Sequence, residues 1–213
     1  MRLRVGKVID VLDGTAAIAI AGELGQVFAA AFGAEEDTER FTTETLPKHA
    51  ARDDFRLVTA RTPRPTGVLG SSGIPGQAGV AGLGSGSLDV AGVMGGSGPL
   101  VGFAYGYTGE RGQWWPDRVV EAVEPELAAE WVGGHFEVVE LAVHPDAQRQ
   151  GLGTALMTEL MRDLPHRRAL LGTDVDDGPA PRLYRRLGWQ LLHPDLGWGS
   201  ALYGLDRGVP SGV

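Results

Sequence analysis

Val138-Val139-Glu140-Leu141-Ala142-Val143-His144-Pro145-Asp146-Ala147-Gln148-Arg149-Gln150-Gly151-Leu152-Gly153-Thr154 is the run on which the reading of this chain turns. Its apolar start has the length and composition of a buried strand, and Pro145-Asp146 turns the chain out of it. Beyond the glycines an amphipathic pattern begins, with Leu152, Leu156, Leu160 and Leu164 at helical spacing and Met157 and Met161 beside them. The order is strand, Gly-rich loop, helix. The first backbone N–H groups of a helix lack internal partners and carry the positive end of its dipole, so this junction suits a phosphate. Gly151 and Gly153 let backbone approach a ligand with no Cβ between. The run is not a P-loop, which ends in Gly-Lys-Ser/Thr, and its glycines are not spaced as a dinucleotide fingerprint.

Two motifs carry a family resemblance. Gln148-Arg149-Gln150-Gly151-Leu152-Gly153 follows the pattern Gln/Arg-x-x-Gly-x-Gly/Ala after a strand. Downstream, Ala180-Pro181-Arg182-Leu183-Tyr184-Arg185-Arg186-Leu187-Gly188-Trp189 follows Ala-x-x-Leu-Tyr-x-x-x-Gly-aromatic. In these motifs, and in their order, the chain resembles the GCN5-related N-acetyltransferase (GNAT) superfamily. The resemblance is strong over residues 100–205 and extends to the N-terminal half only in layout.

The resemblance implies an α/β (α+β) fold: a mixed, mostly antiparallel twisted sheet with helices on both faces, splayed between strands 4 and 5. It implies acetyl-CoA as co-substrate, no metal, and acetyl transfer to a primary amine of a small molecule or peptide. A non-catalytic acyl-CoA-binding sensor of the same fold is the alternative. The cofactor loop would comprise Gln148, Arg149, Gln150, Gly151, Leu152, Gly153 and Thr154, with its amides on the pyrophosphate. Leu141, Ala142 and Val143 would offer strand backbone to the pantetheine arm and the acetyl oxygen, a backbone donor aimed where charge develops. Glu137 aligns with the general base of the histone acetyltransferase branch, and Glu140, just before Leu141, is the rival base, acting through a water. The two carboxylates are expected to face opposite ways only where the backbone between them is bulged. Tyr184 aligns with the general acid that protonates the departing thiolate. Asp177 stands where the family often carries a cofactor-binding Asn, and Pro179 and Pro181 make the start of that helix unusual.

Composition bounds the remainder. The chain has 213 residues, room for one domain with a full core or one domain plus an insertion. We read residues 1–213 as a single N-acetyltransferase domain. Without cysteine there is no disulfide framework, no thiolate nucleophile and no Cys-based metal site. The five histidines show no metal-ligand spacing. A net charge of −8 argues against a nucleic-acid partner, which wants a basic face. The apolar run from Ala16 to Ala21 is too brief for a signal peptide or a membrane span, so a cytoplasmic location is expected by default. A homodimer is compatible with the sequence, which does not fix the oligomeric state.

Residues 2–9 alternate in part and read as a first strand. Leu24, Val27, Phe28, Ala31 and Phe32 recur at helical spacing before Gly33, a plausible stop. Residues 35–52 read as a charged helix interrupted near Pro47. Residues 55–61 and 100–108 read as paired strands. Between them, at about residues 63–99, lies an insertion: residues 67–98 hold 12 of the 33 glycines and one charge, Asp89. Such a segment has few side chains to bury, which fits a flexible loop; a lid-like or self-associating segment is the other reading. Residues 112–118, containing Trp114 and Trp115, read as irregular, the tryptophans either walling an acceptor pocket or anchoring the loop.

Overall fold

In the computed structural model, which describes residues 8–33, 35–63 and 98–208, the strand–loop–helix run forms the middle of a seven-stranded sheet. Strands β1 (Val8–Leu12), β2 (Arg56–Arg61), β3 (Leu100–Gly109) and β4 (His135–Val143) are successive antiparallel neighbours. Strand β5 (Arg168–Asp174) lies parallel to β4 and antiparallel to β7 (Ser200–Asp206), with β6 (Gln190–His193) at the far edge. The sheet is therefore mixed and mostly antiparallel, as the resemblance implies.

Alternate residues of the same strands feed cores on opposite faces. Val58, Ala104, Val138, Leu171 and Tyr203 pack on one face against α7 (Leu152–Leu160) and α8 (Pro179–Arg186). Their neighbours Leu57, Phe103 and Tyr105 pack on the other against α1 (Gly14–Ala19), α2 (Ala21–Phe32) and the segment carrying Phe41 and Leu46. Leu170 and Leu202 meet α5 (Trp114–Ala122) and α6 (Pro125–Trp131) on that second face. Helix α2 ends as the sequence predicts, with Gly33 left-handed at φ 65°.

Two features of β4 shape the site. Its parallel pairing with β5 is confined to Phe136↔Ala169 and Glu137↔Leu170, so the strands part beyond Glu137 and the β5-facing edge of residues 138–143 has no strand partner. On its other side the register with β3 slips: Gly106 faces Val138 and Tyr105 faces Glu140, which leaves Val139 as an extra residue, a β-bulge. The bulge does the reverse of what was expected. Residues three apart on an even strand point to opposite faces; the extra residue puts Glu137, opposite Tyr107, and Glu140, opposite Tyr105, on the same face.

The sequence reading departs from the structure in three further places. The first strand, described over Val8–Leu12, runs on past the predicted end at residue 9, and residues 1–7 lie outside the described residues. Pro47 does not interrupt the helical run: α3 (Thr38–Arg40) passes through a π-helical turn, Phe41–Thr45, into α4 (Leu46–Ala50). There the amide of Leu46 reaches back to Phe41, so hydrogen bonding is already displaced from the usual register where proline has no N–H to give. Trp114 and Trp115 begin helix α5 rather than an irregular loop.

The Gly-rich stretch lies outside the described residues except at its end. There Thr62 donates to the carbonyl of Pro99 (3.0 Å) and accepts from the amide of Gly98 (2.7 Å), closing the β2–β3 pair. No helix among the described residues is long and apolar enough to cross a membrane.

Candidate active site

The loop after β4 is built to leave amides free. Arg149 and Gly151 are both left-handed, at φ 57° and 76°, and such residues curl backbone into anion-binding concavities. Gly151 is the N-cap of α7 and no side chain caps that helix. The amides of its first turn are thus open to a ligand, with the helix dipole behind them. The two glycines are there for different reasons. A Cβ on Gly151 would meet nothing, so its backbone conformation demands glycine; a Cβ on Gly153 would press on Leu183 of α8 at 3.2 Å, so helix packing demands it. The loop's glutamine side chains brace it. Gln148 Nε2 donates to the carbonyl of Val143 and Gln150 Nε2 to that of Asp146, each at 3.0 Å. Leu152 is buried in the core and holds the helix start in place. Leu141, Ala142 and Val143 lie on the unpartnered edge of β4 that leads into this loop.

Upstream on β4, Glu137 lies in the wall of a cavity of about 260 Å³ lined also by His49, Arg52, Tyr107, Gln113, Trp114, Trp115, Val139 and Ser200. Glu137 is 4% exposed. Its Oε1 accepts from the Tyr107 hydroxyl at 3.3 Å, while its Oε2 is buried without a partner. Burial pushes its carboxyl up to about 7, against the opposing pull of the Tyr107 hydrogen bond and the Arg52 charge. The Tyr107 hydroxyl is raised in turn, first by burial and then by Glu137. A carboxyl poised near neutral, with one oxygen anchored and one free, is equipped to take a proton.

Glu140 is less enclosed than Glu137 and is not part of that wall. Burial raises it to about 7 as well, opposed by the Leu141 amide. Its charge reaches both faces of the parted sheet, adding to the burial that raises Tyr105 on one side and Tyr184 of α8 on the other. Tyr184 is 7% exposed, with ring centroids 6.1 Å from Trp189 and 6.2 Å from Tyr203. Burial first, then Glu140, holds its hydroxyl protonated well above the ordinary tyrosine range. Asp177 is exposed, and its carboxylate is held by Arg185 and, at 3.2 Å, by Arg182. Side-chain contacts therefore tie Glu137 to Tyr107, and electrostatics tie Glu140 to Tyr184, while Asp177 is engaged elsewhere. Both tryptophans line the cavity; Trp115 also packs into the α5–α6 core.

Sequence reasoning missed His49, Arg52, Tyr107, Gln113 and Ser200. Tyr105 and Tyr107 share one face of β3 by alternation, which was a signal; nothing local marks His49 or Arg52, which arrive from another element.

The sheet is mixed, opens beside a helix start that no side chain caps, and has a buried carboxyl in a cavity wall. Residues 92–189 match the model of the Acetyltransferase (GNAT) family. The GCN5-like protein acetyltransferase Rv2170 of Mycobacterium tuberculosis is 42% identical over 99 residues, which cover 43% of this chain and 48% of that protein. The chain thus spans about half the length of that curated relative. Among solved structures, NAA60 of Arabidopsis thaliana in complex with acetyl-CoA superposes with a TM-score of 0.54 at 17% identity, over 94% of this chain and 98% of that one. PaiA N-acetyltransferase of Thermoplasma acidophilum in complex with coenzyme A gives 0.53 at 12%, over 94% and 99%. At such identities the likeness is one of fold. Together with the motifs, the matches make residues 92–189 similar to the Acetyltransferase (GNAT) family.

Proposed function

We propose that this protein transfers the acetyl group of acetyl-CoA to a primary amine of a small molecule or peptide, with Glu137 as general base. The observation that carries the reading is the state of Glu137: enclosed, held near neutral, one oxygen on Tyr107 and the other free at a cavity wall. The open amides at residues 149–154 and the unpartnered edge of β4 at residues 141–143 fit a pyrophosphate and an extended amide-bearing arm respectively. Acetyl-CoA supplies the acetyl group as a thioester. Glu137 takes the proton that an ammonium must lose before its nitrogen can bond to the carbonyl carbon. Backbone amides of β4 donate to the oxygen where charge develops. Tyr184 gives its proton to the sulfur as the carbon–sulfur bond breaks. Glu140 orients a water or the acceptor, and Asp177, through its arginines, positions the start of α8. The reading takes residues 1–213 as one domain and the cytoplasm as its location, and it accommodates a homodimer.

The test is the pH dependence of kcat/KM on an acetylated amine. The base is active when ionised, so the rate should rise with pH through about 7 and level off above it. Glu137→Gln should remove that rising limb and lower the plateau by about 10²–10⁴-fold. An intact limb in Glu137→Gln with its loss in Glu140→Gln would transfer the role to Glu140. Failure of every amine, with acetyl-CoA still bound, would leave a sensor.

A further inference from the structure

Resting on the amine-acetylation reading, we propose that the acceptor is a small amine that also carries a carboxylate, an amino-acid-like molecule whose carboxylate is held by Arg52 and His49 beside Glu137.

The cavity contains one cation and one buried acid. Most arginines of the described chain end on a carboxylate or a carbonyl, as in Arg61–Glu23, Arg118–Glu121 and Arg207 on the carbonyls of Leu164 and His166. Arg52 has neither among the described residues, and it is the arginine that lines the cavity. Its charge is felt by Glu137, Tyr107 and His49, so it stands close to the group that would receive the proton. In a chain of net charge −8, an unpaired guanidinium at this spot is a local reversal of sign. It repels a bare ammonium as that ion approaches Glu137 and favours one that brings its own negative charge. Guanidinium is also the side chain whose forked donors match a carboxylate.

His49 supplies a second donor. Its Nδ1 lies 3.0 Å from the hydroxyl of Tyr105. That hydroxyl is enclosed, with Tyr105 1% exposed, and burial keeps it protonated; His49 is its one hydrogen-bond partner among the described residues. With that hydroxyl as the donor to Nδ1, which leaves its hydrogen satisfied, the ring carries its own hydrogen on Nε2. Burial holds the ring neutral, its pKa lowered to about 4. A neutral N–H beside a guanidinium complements a carboxylate without adding a second charge to repel the amine. Trp114 and Trp115 offer an apolar wall to the remainder of the molecule, and about 260 Å³ suits an occupant of amino-acid size.

The experiment compares L-phenylalanine, L-leucine and L-methionine with the amines lacking their carboxylates, following release of the coenzyme A thiol. The carboxylated member of each pair should have the higher kcat/KM by about ten- to a hundredfold, mostly through KM, the usual effect of a hydrogen bond to a charged group. Arg52→Gln should erase the preference and Arg52→Lys restore part of it, with melting temperatures verifying that both variants fold. Binding is measured separately with 3-phenylpropanoate, which has no amine to acetylate. Calorimetry should show it binding wild type and Glu137→Gln but not Arg52→Gln. Should 3-phenylpropanoate bind in this Arg52-dependent way while no amine is acetylated, the anchor stands and the acetylation reading falls. Should amines be acetylated without regard to a carboxylate, or Arg52→Gln leave the preference intact, the anchor is wrong and acetylation stands. Absence of both carboxylate binding and carboxylate preference overturns the proposal outright.

Discussion

In the proposed reading, Glu137 joins catalysis to stability at a single residue. Its native carboxyl titrates near 7, against an ordinary value of 4.5. Below about 4.5 the native and unfolded chains both hold the proton. Between 4.5 and 7 only the native chain holds it, so raising the pH through that window favours unfolding. Glu137→Gln removes this loss, and thermal melts should show the variant gaining on wild type between pH 5 and pH 8 by up to about 3 kcal/mol. The charge that the proposed base would need is thus carried at a cost to the fold. Tyr184 makes a narrower prediction. Tyr184→Phe keeps the ring contacts with Trp189 and Tyr203 and removes only the hydroxyl, so kcat should fall by about 10²–10⁴-fold while acetyl-CoA affinity holds. Unchanged kcat would return Tyr184 to a core role. Glu137, Glu140 and Tyr184 were legible in the sequence because they stand at fixed distances from motifs. Arg52 and His49 were not: His49 lies on α4 and Arg52 just beyond it, after a π-helical turn, and only tertiary folding brings them near β4.

At the scale of elements, the bulge at Val139 decides where the carboxylates point. It depends on Gly106, whose missing Cβ would collide with the carbonyl oxygen of Glu137 and with the ring of Phe136. Gly106→Ala should therefore destabilise the protein by about 1–3 kcal/mol. It should also cost activity beyond that loss, because the strand must shift just where the base is attached; equal activity in the folded fraction would argue against this dependence. The strand itself was legible as an apolar run, but a bulge leaves no period of its own, and alternation alone misplaces residue 140 relative to 137. The start of α7 gives the second prediction at this scale. Gly151→Asp introduces a residue type that enters the left-handed region more readily than most, at some strain, and adds a carboxylate beside the open amides. Acetyl-CoA binding by calorimetry should be abolished, with the melting temperature changed little by comparison. Retained affinity would remove the loop from the cofactor site. The loop was readable because glycine spacing reports backbone geometry directly, although only the structure separates Gly151, needed for its dihedral, from Gly153, needed for contact with Leu183.

For the whole molecule, the strand–loop–helix run lies at the centre of the seven-stranded order, where β4 and β5 part. The outer parts were less legible. β1 runs on to Leu12, past the end its alternation implies, and α5 was hidden by the consecutive tryptophans at its start. Between β2 and β3 the chain leaves and returns at adjacent points, tied by Thr62 to Pro99 and Gly98 to Thr62. Replacing residues 64–97 by a short turn should therefore change the melting temperature by only a few degrees and leave acetyl-CoA affinity intact, since loop length enters closure entropy only logarithmically. A large fall in either would assign the segment a structural role. The same closed base makes Thr62 and Gly98 a natural splice point. A fluorescent protein, its own ends close together, inserted there should fold beside an intact host domain, offering a reporter fusion at an internal site.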